Sequence, residues 1–263
     1  MTVAQRERAA LVATFREVSP DAPTLCDGWD VRDLTAHLVV RERRLDAAPG
    51  IMIPAFAGYT ERVQDQVAAS TDWDVLLSLV ADGPPLYSPF KLLDPIANVA
   101  EMFIHHEDVR RARPEWEPRP LDEQTTSALR RPIAMMARMT LRKAPARVVL
   151  RTPQGETVAT AGRGPEVTVT GDPGELLMFA AGRDQARVSL DGSADLVAAV
   201  KAPAAGCEPR LDDRGPDTRS RLPHLRRTAA GRELRRPARR RADGRGGRLL
   251  GVLPLRPLRR DGR

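Results

Sequence analysis

The run Pro95–His106, PIANVAEMFIHH, limits the fold more than any other part of the chain, because it holds no lysine or arginine and a single acid, Glu101. A surface helix scatters charge along its solvent side. One that is apolar over this much of its circumference belongs at the centre of a helical assembly. Its limits are also written in the sequence. Asp94-Pro95 supplies a cap and a first-turn proline, and Pro114 prevents continuation past about Arg113. A carboxylate on such a helix needs a partner, since an isolated buried charge is costly. Glu101 and His105 are four apart and share one face, with Asn98 before them and Asp108 after. Two ligand-type side chains one turn apart make half of a metal site.

The other half must come from elsewhere in the chain. His37 follows Leu34 by three on a helix that starts after Asp30, with Asp33 in the third position, and runs through Ala47 to Pro49-Gly50. Two imidazoles and one carboxylate from two helices leave a fourth position for water or substrate, as catalytic zinc sites do. Nickel, iron and manganese accept the same donors. Spacing alone leaves other readings open: a surface Glu–His contact, and His37 as a core histidine. His106 points about 100° away from His105 on a helix and reads as a packing or supporting residue. Glu107-Asp108 with Arg110-Arg111 reads as a solvated helix end, Trp29 as a core anchor, and Cys26 as a loop or buried thiol with no base nearby in sequence. His224 lies apart, in the C-terminal tail.

Further helices are expected over 4–18, 56–69, 73–82 and 123–142, broken by Ser70-Thr71-Asp72 and Gly83-Pro84-Pro85. After Pro145 the texture changes. Short β-branched runs at 147–151, 157–160, 166–170 and 186–190 alternate with turns and with helical stretches at 173–182 and 193–201. This divides the chain into a helical bundle over 1–143, a small α+β lobe over 144–203 and a tail over 204–263. The tail lacks aromatics and lysine, and composition of that kind predicts disorder. So abrupt a switch to arginine-rich sequence also arises from a reading-frame error in a GC-rich gene.

The sequence pI of about 10.3 invites a nucleic-acid reading. The charge distribution opposes it. Residues 204–263 hold 18 arginines against 7 acids, a net +11, while residues 1–203 hold 24 basic and 28 acidic groups, a net −4. The body has no electrostatic reason to bind nucleic acid, and the tail lacks the aromatic interleaving of a single-strand binder. With two cysteines there is no disulfide framework. No apolar run is long enough for a membrane span, and the start has no apolar core of a signal peptide, so a cytoplasmic protein is expected.

The motif LCDGWDVRDLTAHL (Leu25–Leu38) resembles the first signature of the DinB-like superfamily, and EMFIHHEDVRRA (Glu101–Ala112) resembles its second. The nearest branch is that of actinobacterial metal-binding proteins related to mycothiol-dependent maleylpyruvate isomerase. VTVTGDPGELLMFAAGR (Val167–Arg183) resembles the lobe that follows the bundle in that branch. The resemblance covers about residues 5–201. It implies a mainly α fold, a four-helix bundle followed by a small α+β lobe, and a divalent metal ion, Zn2+ first, held by His37, Glu101 and His105.

It further implies a metal that activates a small thiol, mycothiol, for transfer to or isomerisation of an electrophilic substrate. No protein nucleophile is then needed, which suits a sequence without an obvious one. Arg183 is a candidate for holding a substrate carboxylate, with a plain helix-end arginine as the other reading. A non-catalytic metal- or ligand-binding module and a metal-dependent hydrolase are the alternatives, since the family's fold carries over better than its reaction.

Overall fold

The computed structural model describes residues 1–51, 53–88 and 94–201, with side chains at 94–97 left aside. The expected disordered tail, with Cys207 and His224, lies outside the described residues. Among the described residues six helices come first: α1 (Val3–Glu17), α2 (Val31–Arg43), α3 (Pro54–Ser70), α4 (Trp73–Asp82), α5 (Asp94–Arg110) and α6 (Glu123–Thr140). The sheet part follows as β1 (Arg147–Arg151), β2 (Thr157–Ala161), β3 (Glu166–Thr170), α7 (Pro173–Ala180), β4 (Ser189–Asp191) and α8 (Ala194–Lys201). The mainly α architecture followed by a small α+β part is as expected.

Local chemistry explains the helix that carries His37. Asp30 accepts from the Asp33 amide and Asp33 accepts from the Asp30 amide, a reciprocal capping box. The helix stops at Arg43, four residues before the expected end. Arg44 leaves helical geometry and pairs with Asp46, which also accepts from Tyr59 at 2.6 Å. The Ala47 carbonyl is taken by the Thr60 hydroxyl of α3, so the chain turns through a short 3-10 segment, Ala48–Ile51, instead of extending the helix.

The lone-acid helix α5 is central, for the reason its composition indicated. On one side Met102 and Val109 enter a cluster with Leu11 and Phe15 of α1, Leu34 and Leu38 of α2 and Leu76 and Val80 of α4. On the other, Phe103, Val99 and Ile104 enter a second cluster with Leu129 and Ile133 of α6, Val148 and Leu150 of β1, Val167 and Val169 of β3 and Leu176 and Leu177 of α7. A helix serving two cores has little circumference left for charge. The sheet order is β2-β1-β3-β4, with β1 and β3 parallel and both edge strands antiparallel to their neighbours.

Helix α7 ends in a Schellman turn. Gly182 adopts φ +76°, its amide reaches the Phe179 carbonyl at 2.9 Å, and the Arg183 amide reaches the Met178 carbonyl at 3.0 Å. A left-handed residue is needed there, and glycine takes that conformation without steric cost. The turn sends Arg183 back toward α5.

Candidate metal centre

His37 from α2 and Glu101 and His105 from α5 meet. Glu101 Oε1 lies 3.4 Å from His37 Nε2 and 3.3 Å from His105 Nε2, and the three donor atoms all fall within 4.8 Å of one another. The two imidazoles are edge-on, with ring centroids 5.5 Å apart. Both are buried, while 23% of the Glu101 side chain remains accessible, so the group opens on the carboxylate side.

The far nitrogen of each ring is also held. His37 Nδ1 lies 3.0 Å from Gln64 Oε1 of α3, and His105 Nδ1 lies 3.0 Å from Asp108 Oδ2. Around a bound metal, contacts of this kind keep the proton on Nδ1 and leave Nε2 to face the ion. The Trp29 ring sits 5.1 Å from that of His37, which makes it part of the site's wall.

Charge in the site is balanced by Arg183 and by Arg41, of which only Arg41 had no place in the sequence-based expectation. Arg41, one turn after His37, has Nε 3.2 Å from Glu101 Oε1 and donates from Nη1 to Asn98 at 2.9 Å. Burial pushes the Glu101 carboxyl up, but the Arg41 charge and the bonds to both histidines outweigh it and hold the group well below its usual range. For His105 burial favours the neutral ring, yet Asp108 and Glu101 on either side push it up to about 10. Asp108 is resisted by burial and lowered by Arg183 and His105, to about 2. Without an ion, the second proton of His105 sits on Nε2 and faces Glu101 Oε1, the side of the ring from which an ion would be bound.

The donor set fits a divalent ion. Four-coordinate zinc with bonds near 2.0–2.1 Å separates its ligand atoms by roughly 3.3–3.4 Å, the spacing found on both sides of Glu101 Oε1. Two nitrogens and an oxygen are also the ligand chemistry such ions select.

Other expected residues have different places. His106 is buried away from the group, with Nε2 3.0 Å from Thr14 Oγ1 and Nδ1 3.3 Å from Glu7 Oε2. The expected solvated helix end at Glu107–Arg111 is a correction: Glu107 and Asp108 have 0% exposure and Arg111 has 3%. Glu107 takes Arg110, Arg111 and Arg119, and Arg111 continues to Glu175 of α7 at 2.6 Å, because the lobe packs on this end of α5. Arg183 places Nε 2.7 Å from Asp108 Oδ1 and Nη2 2.9 Å from Oδ2. Cys26 is buried and donates its thiol to the same Oδ2 at 3.4 Å. Asp108 and Arg41 carried a readable signal, three after His105 and four after His37. The Arg183 contact spans 75 residues and had none.

The comparisons agree with the motifs. No curated protein sequence matches this chain. Among solved structures the mycothiol-dependent maleylpyruvate isomerase is similar in fold, with a TM-score of 0.50 and 17% identity over 72% of this chain and 90% of that one. A mutant of that isomerase, with one histidine replaced by alanine, gives 0.49 at the same identity and coverage. The family model described as the mycothiol maleylpyruvate isomerase N-terminal domain matches residues 2–178, well over half of the sequence. This chain therefore belongs to the mycothiol maleylpyruvate isomerase N-terminal domain family, the branch its DinB-like motifs indicated.

Proposed function

We propose that the chain binds one divalent metal ion through His37, Glu101 and His105 and uses a small thiol, mycothiol, to isomerise or transfer to an electrophilic substrate of the maleylpyruvate kind. The observation that supports this most is the convergence of two Nε2 atoms on one carboxylate oxygen while both Nδ1 atoms are engaged elsewhere. A divalent ion held by these three residues would supply Lewis acidity, which lowers the pKa of a bound thiol.

The chain's own residues do the rest. Gln64 and Asp108 fix the ring orientations, Trp29 walls the His37 side, and the accessible face of Glu101 marks the approach. Arg41 offsets the Glu101 charge and adds positive potential for anionic reactants. Isomerisation by a thiol involves no net bond change. The thiolate sulfur adds to an activated C=C bond, the resulting single bond rotates, and sulfur leaves with its electron pair as the double bond re-forms. That sequence calls for no nucleophile from the protein, consistent with the buried, hydrogen-bonded state of Cys26.

The test is turnover of maleylpyruvate by purified protein with and without mycothiol, followed by the vinylic proton signals. Thiol-dependent conversion that His37→Ala abolishes is expected. A metal-loaded protein with no thiol affinity and no turnover would reduce the reading to a metal-binding module.

A further inference from the structure

Asp108 is the buried junction between the metal centre and the lobe. Its Oδ2 accepts from His105 Nδ1 at 3.0 Å, from the Cys26 thiol at 3.4 Å and from Arg183 Nη2 at 2.9 Å, while its Oδ1 accepts from Arg183 Nε at 2.7 Å. The carboxylate has 0% exposure and Arg183 has 8%. A buried anion with this many donors has one orientation, and the two-point arginine contact fixes its plane as well as its position. The Arg183 guanidinium is itself braced, since Nη1 donates to the Ala181 carbonyl at 3.0 Å in the turn closed by Gly182.

From this geometry we infer that Arg183 is a positioning residue for the metal ligand His105, acting through Asp108, so that the C-terminal lobe sets the metal affinity of the helical part. The inference rests on the metal reading above. The aspartate holds the His105 ring by its Nδ1–H, and the lobe holds the aspartate. Groups that orient a ligating histidine typically change metal affinity by about 10- to 100-fold when removed. This role differs from holding a substrate carboxylate, which would leave metal affinity untouched.

The experiment is a Zn2+ titration of the full chain against a chromophoric chelator, with the visible spectrum of the Co2+-substituted protein recorded beside it. Arg183→Gln is expected to bind Zn2+ about 10- to 100-fold more weakly and to shift the Co2+ bands. Asp108→Asn is expected to do the same, and the double variant to be no weaker than Asp108→Asn alone. Arg183→Lys, which restores a charge at the carboxylate, is expected to recover part of the affinity, and it carries the test should Arg183→Gln fail to fold. Wild-type Zn2+ affinity and an unchanged Co2+ spectrum in either Arg183 variant would overturn the inference, as would single effects that multiply in the double variant. Absence of Zn2+ binding by the wild-type protein would instead remove the metal reading itself.

Discussion

Glu107 shows how much one side chain can organise. It is wholly buried and takes Arg110 at 2.8 Å, Arg111 at 2.6 Å and Arg119 at 2.7 Å. Burial resists its charge, and the three arginines, Arg111 foremost, hold it ionised below its ordinary range. Removing one member of such a group leaves the others as uncompensated buried charge, typically a loss of about 3–5 kcal/mol. Glu107→Leu is therefore expected to lower unfolding stability by about 3 kcal/mol or more, measured by urea denaturation. A loss under about 1 kcal/mol would class the group with surface ion pairs. Composition could not separate these cases: Glu-Asp-Val-Arg-Arg at a helix end looks solvated until a second layer is known to cover it.

At the scale of elements, Gly182 and α5 carry the most consequence. A left-handed conformation costs an alanine roughly 1–2 kcal/mol, so Gly182→Ala is expected to reduce stability by about 1 kcal/mol or more. Through the displaced Arg183 it is also expected to weaken Zn2+ binding, and a melt and a chelator titration on the same sample read both effects. Phe103, on the sheet-facing side of α5, is fully enclosed. Phe103→Ala is expected to cost about 3–5 kcal/mol, as large core truncations do, and to perturb the sheet as well as the helices because that cluster spans both.

Much of this was legible. The charge-free run announced a central helix, the capping pair Asp30/Asp33 located α2, and i,i+4 spacing paired Glu101 with His105. What was not legible depended on distant contacts. The early end of α2 follows from Thr60 on α3 taking the Ala47 carbonyl. The orientation of His37 follows from Gln64, and that of His105 from a lobe arginine 75 residues beyond Asp108.

Over the molecule as a whole, ionic contacts run continuously from α1 through α5 to the lobe. Glu7 joins His106 and Arg119, Arg119 joins Glu107, and Glu107 joins Arg111 and on to Glu175. Burial works against the Glu7 charge, but His106 and Arg119 lower its pKa below the ordinary 4.5. A carboxyl depressed on folding contributes stability that is complete above its unfolded pKa and vanishes as pH falls through the folded value. Wild type is thus expected to lose stability below about pH 4.5, and its advantage over Glu7→Gln to shrink across the same interval. Melting temperatures of both proteins from about pH 7 to about pH 3 check this, and parallel curves would show that Glu7 contributes nothing through its charge.

Three side chains must hold one ion for the chemistry to follow, and elemental analysis of the purified protein beside Glu101→Ala addresses that directly. The expected result is close to one equivalent of a divalent transition metal per wild-type chain, with loss of most of it from a variant whose circular dichroism is unchanged. Metal-free wild-type protein that also fails to take up added Zn2+, or equal metal content in both proteins, would contradict it.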